Sequence, residues 1–372
     1  MIVNIVLGLY FAVCIGVVLF NCHKLLSEIV GRKMFERTKN EYMRWVCGDG
    51  IELTTLPSKQ QENEIKKISE KLSSIKRMMA FNAAIDELEK TDKQAVDECL
   101  PLIARIMQGA FPFYAFKSYT KQAYYSFLIT RFRVMQYVPA KTISRYLIEQ
   151  IRQDKNIYNL ENALRAVYSS GQTDLVMEAL SVLDGTEDVR IHEKLLVDGL
   201  LTFKECDTLI EAIWGQLSRY SPEMRKMLLG YIRLASGNWK DNMIELLNET
   251  DEMETKIACM RYFGKYKDNR ILPLLCDIGE NPDEGEWELS AVCMSVMSTY
   301  TGSEIIRLLK KGLCSRNWYV RYNAAVSLHA MNVDEDQIRD IMNGEDKFAK
   351  EMLQYRLEIN DKNILNGEAV SR

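Results

Sequence analysis

The residues in this chain whose types suit catalysis or metal binding are few and scattered. The three histidines, His23, His192 and His329, stand far apart and form neither HExxH nor HxH, so they supply no zinc or di-metal ligand set. Nine cysteines lie at 14, 22, 47, 99, 206, 259, 276, 293 and 314 with no CxxC pair. An odd count, with Cys259, Cys276 and Cys293 at or beside positions expected to be buried, reads as reduced thiols packed as small hydrophobes in a reducing compartment. The chain has no GxxxxGK[ST] loop, GxGxxG turn or GxSxG elbow. Its paired carboxylates sit on charged helices facing solvent, and Asp334-Glu335-Asp336 at a helix start suits the positive end of the helix dipole. The expectation is a non-enzymatic protein with no catalytic residue, no metal and no cofactor.

Binding chemistry is more evident, and it is local. The whole chain carries a formal charge of -4, too small to specify a partner by itself. Between residues 117 and 155, however, Lys117, Lys121, Arg131, Arg133, Lys141, Arg145, Arg152 and Lys155 face only Glu149 and Asp154. Tyr114, Phe116, Tyr119, Tyr124, Tyr125, Phe127, Phe132, Tyr137 and Tyr146 are interleaved with them. Lys141, Arg145 and Arg152 fall on one helical face. Residues 156–210 reverse the sign, with acids outnumbering Arg165, Arg190, Lys194 and Lys204. Lys117, Lys121, Arg131, Arg133, Lys141, Arg145 and Arg152 are therefore candidate partner-binding residues, receiving an acidic protein segment, a lipid headgroup or a phosphate-rich ligand. The competing reading is a solvated face whose charges pair with neighbouring helices. Nucleic acid is not expected, because no recognised binding motif accompanies the charge.

Several elements must position these residues. Residues 2–22 hold no charge, and a helix of that length is about 30 Å long, enough to cross a bilayer core. No basic region precedes the run and no small-x-small cleavage site follows it, which favours an uncleaved anchor over a signal peptide. Lys24, Arg32, Lys33, Arg37, Lys39 and Arg44 follow the span, so the positive-inside rule puts the N-terminus outside and the remainder in the cytoplasm. Residues 24–47 read either as an amphipathic helix near anionic headgroups or as a stop-transfer flank leading into a linker. From Glu62 to Lys90 a single long helix is expected. Its Ile65, Ile68, Leu72, Ile75 and Met79 form a short a/d seam, which either packs on the next helices or makes a homodimer through residues 62–82. Gly109, Pro112 and Pro139 break the helices that follow. The segments expected are an anchor over 1–23, a basic juxtamembrane stretch and linker over 24–60, a long helix with divergent helical repeats over 61–155, regular repeats with a closing helix over 156–358, and a flexible tail over 359–372. Phe348, Met352, Leu353 and Leu357 are expected to point inward from the closing helix.

The repeats rest on the stretch Trp318 to Leu328, in which Val320-Arg321 opens a helix, Ala324-Ala325 follows and Leu328 closes the turn. Corresponding frames begin at Leu289-Ser290, Thr255-Lys256, Met224-Arg225 and Val189-Arg190, at intervals of 31 to 35 residues, with Met297, Phe263, Ile232 and Val197 as closing residues. The small pair departs to Leu228-Leu229 and Glu193-Lys194 in two frames, and the basic position to Ser290 in another. This pattern resembles the first helix of a HEAT repeat over roughly residues 157–358, best between 252 and 342. The resemblance implies an all-α fold, a right-handed α-solenoid of HEAT-like helical hairpins preceded by one transmembrane helix. His192-Glu193 resembles the His-Glu pairs of HEAT-repeat hydroxylases, but those need several such pairs and this chain has one. Ser221-Pro222 reads as an N-cap with proline at the first helical position, Asp251 with Glu254 as a capping box, and Thr301-Gly302-Ser303 as a turn. Trp239, Trp287 and Trp318 stand near helix starts, as peptide anchors or as packing between repeats.

The functional expectation is a membrane-anchored cytoplasmic scaffold or adaptor. It binds a protein partner, an integral membrane enzyme or transport complex, through its groove, with Trp318 and Arg321 marking a second candidate edge. The alternatives are a HEAT-like lyase or hydroxylase, and a solenoid that binds anionic lipid or nucleic acid.

Overall fold

Helix α1 (Ile2–Cys47) runs through the uncharged segment and the basic stretch after it without a break. The computed structural model describes residues 2–48, 58–138, 140–153, 156–186, 191–284 and 286–365, though not the side chains of 2–9, 11, 12, 58, 335 and 357–365. Asp49-Gly50, Leu56-Pro57, Pro139, Lys155, the Val189-Arg190 opening of the earliest frame, the Leu357 side chain and the second half of the tail, residues 366–372, therefore lie outside what is described, while residues 359–365 continue a helix. Among the described residues there is no strand, and α1 is the one helix long and apolar enough to cross a membrane. At its far end α1 docks on other helices. Tyr42 and Val46 are buried, Lys39 bridges Glu36 and Glu87 at 2.7 and 2.8 Å, and the Tyr42 ring meets Phe81 edge-on at 5.2 Å. The basic stretch up to Cys47 thus belongs to the same helix as the uncharged run.

The chain divides into two compact units, residues 1–190 and 191–372, so the division expected at 155–156 falls inside the first. In that unit α1 is followed by α2 (Ser58–Lys71), α3 (Ile75–Thr91) and α4 (Lys93–Ala110). The single helix expected over 62–90 is broken at Leu72–Ser74, where Ser74 takes the extended N-cap conformation and the Leu72 carbonyl accepts from the Tyr114 hydroxyl. The seam is broken with it: Ile65, Ile68 and Leu72 are buried where α2 packs on α4, while Met79 is exposed. After a 3-10 turn at Phe111–Phe113 come α5 (Tyr119–Arg131), α6 (Val134–Tyr137), α7 (Lys141–Gln153), α8 (Ile157–Tyr168) and α9 (Thr173–Asp184). Helix α8 packs on both α5 and α7.

The second unit begins with α10 (Glu193–Leu200) and α11 (Cys206–Gln216). Pairs follow: α12 (Pro222–Ala235) with α13 (Lys240–Glu249), α14 (Met253–Lys265) with α15 (Leu272–Glu280), and α16 (Trp287–Met297) with α17 (Ser303–Leu313). Then come α18 (Trp318–Ala330), α19 (Glu335–Asn343) and α20 (Lys347–Leu365). Four of the frames read from the sequence each open at the third residue of a helix: α12, α14, α16 and α18. Their inner positions are buried throughout, as Leu228-Leu229-Ile232, Cys259-Met260-Phe263, Cys293-Met294-Met297 and Ala324-Ala325-Leu328. Each of these helices packs on the next, α12 on α14, α14 on α16 and α16 on α18. Hydrogen bonds reinforce the order: Ser327 donates to the Met294 carbonyl at 2.7 Å, and the Tyr262 hydroxyl accepts from the Trp239 amide at 3.0 Å.

The caps follow local chemistry. The Ser221 side chain accepts from the Met224 amide, and Asp334 forms a full capping box with Gln337. The box expected from Asp251 and Glu254 does not form; Glu252 is the cap, and its carboxylate instead bridges Arg225 on the preceding pair at 2.7 Å. Gly302 turns the chain with φ +135°, a conformation that strains any side-chain-bearing residue. In α20, Met352 and Leu353 are buried as expected, whereas Phe348 is turned outward beneath the Arg321 guanidinium, 5.5 Å from the ring centre.

Candidate basic aromatic cleft

Helix α4, which carries Pro101 in its interior, ends at Ala110, and the chain passes through a 3-10 turn at Phe111–Phe113 that contains Pro112. Tyrosines pin the turn from below. The Tyr114 hydroxyl donates to the Leu72 carbonyl at 2.5 Å, Tyr125 donates to Met107 at 2.7 Å, and the two rings stack with centres 5.5 Å apart. Burial pushes both hydroxyls well above the ordinary tyrosine range, so they stay neutral donors. Tyr114 and Ala115 are held inward, and the chain turns outward only after them, so that Phe116 is 80% exposed.

Opposite this turn lies α7, and between them runs a cleft of about 890 Å³. Phe111, Phe116 and Tyr146 form its aromatic wall, with Phe111 edge-on to Tyr146 at 5.4 Å. A chain of amides crosses from α5 to α7: Gln122 donates to the Ala115 carbonyl at 3.0 Å, Gln150 donates to Gln122 at 3.4 Å, and Ser126 donates to Gln150 at 2.8 Å. Lys117 on the turn and Arg145 on α7 line the cleft, and among the described residues no carboxylate lies within ion-pairing distance of either. Glu149 also lines it, paired with Arg152 at 2.7 Å. Tyr119 is shared with a smaller groove of about 420 Å³, walled by Tyr124, Phe127, Asn156, Tyr158 and Asn162 where α5 meets α8.

The other basic residues singled out from the sequence are not gathered here. Arg131 reaches across to α3, placing Nη2 2.6 Å from Glu89 and 2.7 Å from Asp86. Its guanidinium holds the Glu89 carboxyl below the usual range. Arg131 is thus engaged within the fold, as Arg152 is with Glu149. Arg133 occupies a left-handed turn at φ 49°, Lys121 is half-buried on α5, and Lys141 is exposed at the start of α7. The amide chain through Gln122 and Gln150 was not anticipated from the sequence; its only signal there is the four-residue spacing of Gln122 with Ser126 and of Tyr146 with Gln150.

Trp318 and Arg321 belong to a separate aromatic edge in the second unit. Trp287 stacks on Tyr319 and Trp318 on Tyr322, each pair 5.1 Å apart between ring centres. Arg321 donates to the Ser315 and Arg316 carbonyls at 2.5 and 3.2 Å. Trp287 and Trp318 are the first residues of α16 and α18, and Trp239 caps α13. His192 is likewise a cap, its Nδ1 accepting from the Lys194 amide at 3.2 Å. Among the described residues no three His, Cys, Asp or Glu side chains are grouped closely enough to hold a metal ion. No protein-family model, curated protein or solved structure matches the chain.

Proposed function

We propose that this protein is a membrane-anchored adaptor, held by residues 2–22 with its helical units on the cytoplasmic side. Its second unit is read as a right-handed, HEAT-like solenoid, and its first as the surface that holds a protein partner beside the membrane. The observation that carries the reading is the basic aromatic cleft, which displays Phe116 and two cations, Lys117 and Arg145, that pair with no carboxylate among the described residues. Continuity of α1 supports it. Residues 23–34 are exposed, a helical stretch of about 18 Å between the end of the span and the first half-buried residue, Phe35, and Tyr42 is buried two turns further on. A surface in the first unit is then kept at a defined height above the headgroups, as an adaptor for another membrane protein requires. The stacking order and the ion pairs between successive pairs, Arg225 with Glu252, Arg270 with Asp241 and Arg307 with Glu280, support the solenoid reading.

The test is crosslinking and recovery from native membranes with the intact chain, beside a Lys117→Glu, Arg145→Glu variant. A stoichiometric partner lost from the variant is the expected result. Absence of any stoichiometric partner from both samples would rule the adaptor out.

A further inference from the structure

We propose that the cleft between the 111–118 turn and α7 takes a short acidic peptide segment carrying one aromatic or large apolar side chain. Its acids lie over Lys117 and Arg145, and its anchor side chain packs against the aromatic wall that Phe111, Phe116 and Tyr146 form together. The inference rests on the adaptor reading and names the chemistry of the partner segment.

Three observations carry it. The cleft volume of about 890 Å³ lies within the range of formed binding sites, roughly 300 to 1,000 Å³. Lys117 and Arg145 approach the cleft from different elements and have no carboxylate partner among the described residues, whereas Arg131 and Arg152 in the same basic region are both paired. Two unneutralised cations beside an apolar wall attract an anion that brings its own apolar group. The polar lining decides the class of ligand. The Ser118 and Thr142 hydroxyls and the Gln122 amide can donate and accept, which matches a peptide backbone and gives nothing to a hydrocarbon chain. Glu149 lies on the same wall, four residues after Arg145, and repels a phosphate-dense ligand more than a segment that brings only one or two carboxylates.

The experiment uses the full chain in phosphatidylcholine nanodiscs and the fluorescence anisotropy of a labelled, end-capped Asp-Gly-Trp-Gly-Glu peptide. Binding should weaken with added salt. It should fall about tenfold in each of Lys117→Ala, Arg145→Ala and Phe116→Ala, the loss expected for one good contact, and stay unchanged in Lys204→Ala on the second unit. Circular dichroism melts check that the variants are folded, which their exposed side chains favour. Equal binding of a peptide with lysines in place of the acids would overturn the proposal, as would undiminished binding by the Lys117→Ala, Arg145→Ala double variant. Lack of peptide binding together with capture of phosphatidylserine vesicles would also overturn it and reassign the cleft to lipid. If membrane recovery still yields a partner that the double variant retains, the cleft inference fails and the adaptor stands. Peptide binding with no partner in membranes would sink the adaptor alone.

Discussion

The cleft of the first unit and the tryptophan edge of the second are built from the same kinds of residue and differ in what those residues have left to offer. In the cleft, Phe116 and Tyr119 stand 80% and 67% exposed around a cavity, and among the described residues no carboxylate pairs with Lys117 or Arg145. On the edge, the aromatic rings stack on one another, and Arg321 donates to two carbonyls while lying over Phe348. A cation or ring satisfied within the fold adds stability there; one left unsatisfied beside a concavity is available to a partner. Exposed aromatic residues alone therefore do not mark a binding surface.

Four variants test that contrast. The largest effect is expected for Ala325→Arg, which puts a charge into a fully buried position of α18, behind the tryptophan edge. A loss of more than about 4 kcal/mol, seen as loss of a cooperative chemical unfolding transition, follows from burying an unpaired cation. Next comes Arg131→Ala, which leaves Glu89 and Asp86 without their partner. Its cost should be about 1–2 kcal/mol, reduced from the usual value of charge-assisted hydrogen bonds because Glu89 is partly exposed. The same variant should change the acid limb. Glu89 has a lowered folded pKa, so its contribution is present above the unfolded value of about 4.3 and disappears as pH falls through the folded one. Urea unfolding between neutral and acid pH should therefore show a shallower decline in the variant than in the parent. If Arg131→Ala left stability intact and released the partner instead, Arg131 would belong with the cleft.

A smaller effect, about 1 kcal/mol, is expected for Trp318→Ala through lost ring stacking, with partner recovery unchanged. Reduced recovery at parental stability would turn the edge into a second contact surface. The smallest effect on stability belongs to Arg145→Ala, which should stay within about 0.5 kcal/mol of the parent in thermal or chemical unfolding. A larger loss would mean that Arg145 supports the fold, and the contrast with Arg131 would disappear.

Much of the architecture was legible because it is written at short range. The charge-free run of residues 2–22 and the frames opening at Met224, Thr255, Leu289 and Val320 depend on residues within a few positions of one another, the distance over which a helix aligns its side chains. Ser221-Pro222, Gly302 and the acids at Asp334 were readable for the same reason. The break at Leu72–Ser74 was not, because an uninterrupted apolar spacing runs through it and the turn is held by Tyr114, far along the chain. The outward face of Phe348 likewise depends on Arg321 from another helix.

The sequence by itself determined that the chain is helical, where its regular frames fall, and that lysines, arginines and aromatic residues crowd between 117 and 155. Only the tertiary structure decided which of those charges are available. Arg131 finds Glu89 and Asp86 more than 40 positions away, while Lys117 and Arg145 end on the walls of a cleft formed when the turn after α4 comes to lie against α7. Ion pairing acts over a few ångströms in space, and separation along the chain does not report that distance.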